Sequence, residues 1–351
     1  MPEIIFKDNS CNLLVRRSCA YAPEFLALLE RTIWGSGGLK YTVNGLADIL
    51  NRIHHPHFLS LEENGNLIGV LTLSEKTTRI NNRDYPAVYS YGLAIDATKQ
   101  GKGYGTLLAE QALHYGLSEI GDKGIYYGYV ESDNISSLKA IQKVGRKSLG
   151  QYHSLIISRL NPKTVNRLTK LDESKREQLI QLLYEQYGNH SLTDFEQSIK
   201  AADYYVLTQG AEILAGLQCE KKHLTIRYLP GVGGFFLLTI MPHIPAFRNL
   251  VPEGNVHFLA LGNIYVKSGN EHKLFKLIEA VLAKYQFNFG MIYMDKRSPI
   301  YNRLEKEAKF GIFNSLVNVP VHVMAYLKGF KETEMAEIQR QPIYISIMDP
   351  V

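Results

Sequence analysis

Hydrophobic positions along the first half of the chain switch between helical spacing and strand-like runs. Two helical stripes come early, then apolar runs around the turn at 63–66 read as a hairpin, and a longer apolar strand leads into a glycine-rich segment. A helix, a strand, a helix and a strand follow. The predicted elements are strand 13–16, helices 25–33 and 46–53, strands 58–61, 67–73 and 87–95, helix 106–119, strand 124–130, helix 135–144 and strand 152–157.

The second half repeats this order with little identity, so the pattern indicates an internal repeat. Gly216 is expected to take the place of Gly69, and Gly262 that of Gly92, with an insertion over residues 222–251. Proline and polar residues at 161–163 interrupt the periodicity and predict the boundary between domains 1–160 and 164–351. Two unrelated α/β domains with the same element order are the alternative. The predicted elements are helices 173–187 and 192–199, strands 204–207, 213–217 and 258–266, helix 272–285, strand 287–293, helix 300–309 and strand 319–327.

Composition narrows the class of protein only moderately. A length of 351 residues suggests two domains. The net charge of +5 arises from 39 basic and 34 acidic residues without a dense Lys/Arg block, which favours anionic ligands mildly and predicts no nucleic-acid partner. Cys11, Cys19 and Cys219 lack metal-ligand spacing and read as reduced thiols. Without a secretory signal or an apolar run of about 20 residues, the expected protein is cytoplasmic and makes no membrane contact.

The segment at 100–105, Gln-Gly-Lys-Gly-Tyr-Gly, carries the strongest chemical signal. Glycines let a main chain approach an anion closely, and the unpaired N–H groups of a helix start favour negative charge. The segment predicts a pyrophosphate cradle, with a plain glycine-rich turn as the alternative. Its spacing lacks the Gly-Lys-Ser/Thr ending of a P-loop and the Gly-x-Gly-x-x-Gly pattern of dinucleotide-binding folds.

Two motifs in the expected order give the first half a family resemblance. Gln100, Gly103 and Gly105 match the Gln/Arg-x-x-Gly-x-Gly/Ala motif of the GNAT superfamily of N-acetyltransferases. A second element of that family, an Asn that starts the next helix and a Lys-x-Gly near its end, is met by Asn134, Lys143 and Gly145. The resemblance covers about 150 residues and implies an α/β (α+β) fold of two GNAT-like domains. Each would have a mixed, mainly antiparallel central sheet flanked by helices.

The resemblance implies acetyl-CoA as co-substrate, with no metal. The loop would hold its pyrophosphate, and the strand at 93–95 would pair with its pantetheine arm, admitted by a bulge at Gly92. The N–H of Leu93 would bind the oxyanion. Asn134 reads equally as a simple N-cap, which does not exclude a ligand role. The residues implied to bind the cofactor are Leu93, Ala94, Ile95, Gln100, Gly101, Lys102, Gly103, Tyr104, Gly105, Thr106, Asn134 and Ser137.

The catalytic positions depart from the family pattern. Ile141 stands where the family commonly has a tyrosine acid, Tyr91 where it often has a glutamate base, and Arg146 where an aromatic residue usually follows the helix glycine. Glu131 and Tyr91 are the substitute candidates for the base. Tyr89 and Tyr152 are expected beside them on the acceptor side, although strand tyrosines more often serve packing.

Other features are interpreted as structural. His54, His55 and His57 lack converging partners and predict a surface loop rather than a metal site. The second half has Lys-Ser-Gly-Asn-Glu-His at 267–272 in place of the cradle, which predicts a degenerate copy that does not bind acetyl-CoA in the usual way.

The leading functional prediction is an N-acetyltransferase that moves an acetyl group from acetyl-CoA to a primary amine by direct attack in a ternary complex. A non-catalytic acyl-CoA-binding or protein-interaction module is the alternative, motivated by Ile141 and the missing base. The amine acceptor and the oligomeric state are left open.

Overall fold

The computed structural model describes residues 2–35, 38–164, 168–231, 234, 239, 254–307, 309–315 and 319–348. The strands within them are β1 Glu3–Asp8, β2 Leu13–Ser18, β3 Lys40–Val43, β4 Pro56–Glu63, β5 Asn66–Ile80, β6 Arg83–Ile95, β7 Gly124–Glu131, β8 Lys147–Ser158, β9 Thr169–Lys170, β10 Tyr204–Gln209, β11 Glu212–Tyr228, β12 Asn255–Val266, β13 Phe289–Met294 and β14 Val321–Lys328. The helices are α1 Pro23–Arg31, α2 Leu46–Asn51, α3 Tyr104–Glu119, α4 Ile135–Lys143, α5 Arg176–Gln186, α6 Phe195–Ser198, α7 Glu271–Tyr285, α8 Pro299–Glu307 and α9 Glu332–Arg340.

These strands join into one continuous sheet in the order β1-β2-β4-β5-β6-β7-β14-β8-β13-β12-β11-β10-β9, with β3 added to β11. The pairs β6–β7 and β12–β13 are parallel, and the other strand pairs are antiparallel. The predicted fold class, a mixed and mainly antiparallel sheet flanked by helices, is confirmed.

The two halves exchange strands at the centre of the sheet. Strand β14, from the end of the chain, lies between β7 and β8 and is antiparallel to both. Strand β8 in turn pairs with β13. The domain boundaries at 160 and 164 stay a prediction, but a cut there would separate β14 from the sheet that it completes.

Opposite faces of the first half's sheet carry different helices. On one face, Leu108 and Ala112 of α3 pack with Val88 and Tyr126. On the other, α1 and α2 cover β4 and β5 through a separate cluster that includes Phe25, Leu50, Phe58 and Val70. Burying these apolar side chains contributes about 1.5–3 kcal/mol each for the larger ones. One face of this sheet is therefore covered by α3, and α1 and α2 cover part of the opposite face.

Three parts of the element prediction need correction. β1, β3, β9 and α9 were not predicted, because short stretches without a long periodic run give little signal. Strand β11 runs on to Tyr228, so the insertion cannot start at 222, and most of the rest of that insertion lies outside the described residues. The helix predicted at 192–199 is reduced to Phe195–Ser198. None of the described helices has the length and apolarity that crossing a bilayer requires.

Candidate active site

Strands β6 and β7 diverge in the middle of the sheet. Their parallel pairing ends at Ser90 and Gly128, while β6 continues to Ile95 and β7 to Glu131. On its other side β6 has a bulge against β5, where the register shifts between Val70 and Thr72. The bulge predicted at Gly92 is thereby confirmed, and its φ of 69° explains the glycine, because left-handed backbone strains other residues.

The bulge sets the direction of the backbone groups beyond it. Asp96 donates its N–H to Ile68 on β5 at 2.9 Å, so by the alternation of an antiparallel ladder Ile95 turns its own N–H towards the gap beside β7. The side chain of Gln100 donates to the Ile95 carbonyl at 3.0 Å and ties the following loop to this strand end. The gap is thus bordered by main-chain groups that an extended amide-containing arm could pair with.

The glycine-rich loop is open on the side that faces away from the protein. Gly101 and Gly103 have φ values of 78° and 85°, and a Cβ added at either would meet no atom within 4 Å. Gly103 is the N-cap of α3, and its carbonyl accepts from the N–H groups of Thr106 and Leu107 at 3.0 Å. A helix start of this kind, with its dipole and free space in front of it, suits an anionic group.

Two polar side chains at the glycine-rich loop, one of them cationic, bind a carboxylate of the protein itself. Lys99 and Tyr104 both contact the carboxylate of Glu63 at the end of β4. These contacts lower the pKa of Glu63, so the acid stays ionised beside the loop. Lys102 is exposed and is the remaining cation of the segment.

Asn134 serves as the N-cap of α4, as one of the two interpretations predicts. Its Oδ1 accepts from the N–H of Ser137 and the hydroxyl of Ser136, both at 3.1 Å. The cap uses the oxygen and therefore fixes the direction of the amide nitrogen. Ile141 lies further along α4 and is buried against Val130 and Met324.

A continuous row of tyrosines lies on the sheet face opposite α3. Tyr91 stacks on Tyr89 with ring centroids 5.7 Å apart, and the row continues through Tyr129 and Tyr152 to Tyr293. Tyr89 and Tyr152 are only 1% and 2% exposed, so both rings are mainly part of the core, as the packing interpretation holds.

Tyr91 is poorly suited to the role of base. Its hydroxyl is buried, and this burial raises the pKa of the phenol far above its usual value. A phenol that resists ionisation donates a proton reluctantly and cannot accept one at neutral pH. The assignment of Tyr91 as base stays a prediction and finds no support in this geometry.

Glu131 occupies a more suitable place, at the end of β7 on the tyrosine face. The hydroxyl of Tyr41 donates to Glu131 Oε1 at 3.4 Å. Burial, and then the charge of Glu131, raise the pKa values of Tyr41 and Tyr293. Sequence reasoning missed Tyr41 because residues 34–38 predict only a loop; the run Tyr-Thr-Val before Asn-Gly at 41–45 was the available strand signal.

A cleft of about 140 Å³ opens beside this tyrosine face, between the two halves. Strand β5 contributes Ser74 and Lys76 to its wall, and β11 contributes Gln218 and Glu220. Ion pairs cross it: Arg52 with Glu220 at 2.6 Å, and Lys76 with Asp194 at 3.5 Å. Strand β3, which carries Tyr41, pairs with β11 and holds the α1–α2 connection in place over this region.

The second half has the same bulge in β12, where the register shifts between Gly216 and Gln218. The left-handed residue there is Asn263, with a φ of 49°. Asn263, not Gly262, is therefore the structural counterpart of Gly92, and by the same register Ala215 rather than Gly216 matches Gly69. The predicted glycine matches were wrong by one residue because asparagine also tolerates left-handed backbone.

In the second half, side chains of the protein itself occupy the edge of β12 that corresponds to the open edge of β6. The amide of Gln186 donates to the Ile264 carbonyl at 2.7 Å and accepts from the Val266 N–H at 2.9 Å, as an added strand would. Tyr187 donates to the same carbonyl at 3.0 Å. In the loop, Glu271 accepts from the Gly269 N–H at 3.3 Å and pairs with Arg303 at 3.0 Å.

His57 corrects the interpretation of the three histidines as a surface loop, because it lies buried in β4. Nδ1 accepts from Nε of Arg17 at 2.9 Å, which leaves Nε2 to donate to Glu75 at 2.5 Å. Glu119 lies close enough to complete a set of three potential ligand atoms with His57 and Glu75. Both ring nitrogens of His57 are thus engaged in hydrogen bonds.

Part of the first half matches a family model. Residues 26–145 match the model of the acetyltransferase (GNAT) family. This segment contains the glycine-rich loop and the Asn134 cap, so the match bears out the resemblance of the first half to that family. It supports acyl transfer from an acyl-CoA. A search of curated proteins finds no match to the sequence.

Solved structures agree at the level of the fold. N-myristoyltransferase from Saccharomyces cerevisiae with bound myristoyl-CoA is similar with a TM-score of 0.57 and 10% identity, over 95% of this chain and 85% of that chain. A second structure of that enzyme has a TM-score of 0.51 and 12% sequence identity, over 93% of this chain and 77% of that chain. A GCN5-related N-acetyltransferase from Sphaerobacter thermophilus has a lower TM-score of 0.46, with 12% sequence identity over 77% of this chain and 80% of that chain.

Proposed function

We propose that the protein transfers an acetyl group from acetyl-CoA to a primary amine, by direct attack in a ternary complex built on the first half. The divergence of β6 and β7 beyond Ser90 and Gly128 is the observation that carries this proposal. It leaves main-chain groups of β6 facing a gap that leads from the open glycine loop to the tyrosine face.

Each part of the cofactor has a matching feature on this path. The pyrophosphate lies against the N–H groups of residues 101–106, where Gly101 and Gly103 leave space. The pantetheine arm pairs with β6 at 93–95, and the amide nitrogen of Asn134 reaches it from α4. The N–H of Leu93 at the bulge binds the oxyanion.

The acceptor amine enters from the cleft between the halves. An alkyl ammonium has a pKa of about 10.4, so it must lose a proton before it attacks. Glu131 takes this proton, directly or through one water, while Tyr41 holds its carboxylate in position. The amine nitrogen then forms a bond to the thioester carbon, and the carbonyl oxygen becomes an oxyanion. The nitrogen, now positively charged, gives its second proton to water. The carbonyl re-forms as the C–S bond breaks, and the electron pair of that bond leaves with the sulfur.

The preference for acetyl over a long acyl chain rests on the surroundings of the gap. Tyrosine rings fill the sheet face there, and ion pairs cross the adjoining cleft. A long chain gains about 0.8 kcal/mol for each methylene that it buries in apolar surroundings. A short acyl group does not need such surroundings.

The test is a transfer assay with purified protein. Acetyl-CoA and myristoyl-CoA are each incubated with a panel of small amines and lysine-containing peptides, with CoA release followed by a thiol reagent and products by mass spectrometry. We expect acetylated amine and stoichiometric CoA from acetyl-CoA only. Faster transfer from myristoyl-CoA would contradict the acetyl assignment. Acetyl-CoA binding without CoA release from any acceptor would favour the alternative, a non-catalytic acyl-CoA-binding or protein-interaction module.

A further inference from the structure

Arg146 is a buried cation. Its side chain is 4% exposed, and no carboxylate of a described residue contacts its guanidinium. Nε and Nη2 donate to the Met324 carbonyl at 3.3 and 2.7 Å, and Nη1 donates to the Ser90 hydroxyl at 3.3 Å. The guanidinium carbon also lies 5.0 Å from the centroid of the Tyr126 ring. These contacts use part of the donor capacity but do not neutralise the charge, and a buried charge without a counterion is costly.

The guanidinium lies at the point where the two strands diverge. Ser90 belongs to the last pair of the β6–β7 ladder, and Gly128 is its partner. A Cβ at Gly128 would come within 2.9 Å of Arg146 Nη2, so the glycine is what lets the cation approach. The positive charge therefore sits at the closed end of the gap.

A small apolar cluster next to this point lowers the local permittivity, so the charge acts over a longer distance than it would in water. Met324, whose carbonyl Arg146 binds, packs with Ile141 and Val130, and Leu93 lies against the same cluster. Ile141 is the position at which the family resemblance leads one to expect a hydroxyl acid for the leaving thiolate. No hydroxyl is available from that side chain, while a fixed cation stands behind the cluster.

We propose that Arg146 stabilises the thiolate of CoA electrostatically as it leaves, so that the departing sulfur needs no proton from a side chain. The proposal rests on the proposed acyl transfer in the first half. In this step the C–S electron pair goes to sulfur, which leaves as an anion and takes a proton from solvent after release. Arg146 acts through the intervening cluster and is a positioning residue rather than a group that touches the substrate.

The charge of Arg146 persists at neutral pH. Burial lowers the pKa of the guanidinium to about 10, so the group is still protonated. The titratable groups that interact with it are the phenols of Tyr126 on β7 and Tyr89 on β6, and burial raises the pKa of Tyr126 further from neutrality. A bound thiol ionises at lower pH than these buried phenols, so its ionisation is the titration that this cation would influence.

The experiment measures the ionisation of the CoA thiol when CoA is bound to the intact protein. Ultraviolet absorption of the thiolate is titrated for free and bound CoA, and calorimetry compares CoA with desulfo-CoA, which has no thiol, across the same pH range. In the wild type we expect the bound thiol to ionise about one pH unit or more below free CoA, since a nearby charge at intermediate permittivity is worth a tenfold change or more.

Three variants separate charge from packing. Arg146→Met keeps much of the length and removes the charge, so the bound thiol should return to the pH range of free CoA while desulfo-CoA binds as before. Arg146→Lys should keep most of the shift. Ser90→Ala removes one hydrogen-bond partner and keeps the cation, and should also keep the shift.

The outcomes distinguish this inference from the proposed function. Binding of CoA with the same thiol ionisation as free CoA in the wild type would overturn the role of Arg146 and leave acyl transfer untouched; this comparison needs no variant to fold. An equal shift in the wild type and Arg146→Met would overturn it too. Failure of the wild type to bind either nucleotide would overturn both.

Discussion

The hydroxyl of Tyr41 donates to Oε1 of Glu131 at 3.4 Å, across the boundary between β3 and β7. Since β3 pairs with β11 of the second half, the position of this hydroxyl depends on both halves of the chain. The second half therefore helps to position a residue of the candidate site through β11, although the side chain of Gln186 occupies the corresponding strand edge in that half.

We predict that Glu131→Gln lowers kcat for acetyl transfer by about 10²–10⁴-fold, the usual range for a positioned base. The amide keeps the shape of the side chain but cannot take a proton. Steady-state kinetics and acetyl-CoA titration measure the two effects separately, and binding should be unchanged. Tyr41→Phe, the matched control, removes only the hydrogen bond and should cost less. Wild-type kcat in Glu131→Gln would remove Glu131 from the mechanism.

We predict that Gly103→Glu abolishes acetyl-CoA binding, while Gly269→Glu does not change it. The two positions are well matched, with φ values of 85° and 81° and open space in front of both. Backbone strain of about 1–3 kcal/mol should therefore be similar in the two variants. Calorimetric titration gives the affinity, and thermal unfolding checks the matched strain. Equal loss of binding in both variants would mean that the active half has been misassigned.

We predict that Gln186→Ala destabilises the protein by about 1–3 kcal/mol, because it leaves the buried N–H of Val266 without its partner. Acetyl-CoA affinity should stay at the wild-type value. Urea unfolding measures the free energy, with Gln142→Ala on the exposed face of α4 as the control. A gain of a second acetyl-CoA site in Gln186→Ala would show that this side chain alone closes the second edge.

We predict that a fragment of residues 2–163 does not unfold cooperatively, because it lacks β14 between β7 and β8. Circular dichroism with thermal melting makes the comparison with the full chain. Joining residues 319–330 to the fragment through a flexible linker should restore part of the transition. A fragment that melts as sharply as the full chain would support an independent first domain.

We predict that the free energy of unfolding falls as the pH drops from about 6.5 towards 4, partly through His190. Burial lowers the pKa of this imidazole to about 4. The unfolded state then binds more protons in this window, so stability is full above the unfolded value and decreases as the pH falls, by up to ~3 kcal/mol. Urea unfolding across this range should show a smaller slope for His190→Gln. Identical slopes would exclude His190 as a source of this pH dependence.

The sequence predicted the parts of the fold that depend on strong local signals. The glycine loop at 100–105, the bulge at Gly92 and the cap at Asn134 each follow from residues whose backbone preferences are narrow. They were found at the predicted places. Long periodic helices such as α3 and α7 were also predicted to within a few residues.

What the sequence did not reveal depends on contacts between distant segments. Tyr41 stands 90 positions from Glu131, and their contact arises only because β3 joins the second half. The place of β14 between β7 and β8, and the use of Gln186 as a substitute strand, likewise depend on tertiary pairing. Local periodicity contains no information about such partners.

The position of β14 has a consequence for how the protein is made. Because β14 follows the whole second half in sequence, the ribosome must translate that half before β7 and β8 can acquire their common neighbour. Until then the nascent first half exposes two unpaired strand edges, which are open to association with other chains. The central part of the sheet can thus form only after both halves have been synthesised, and a chain that stops before β14 leaves it incomplete.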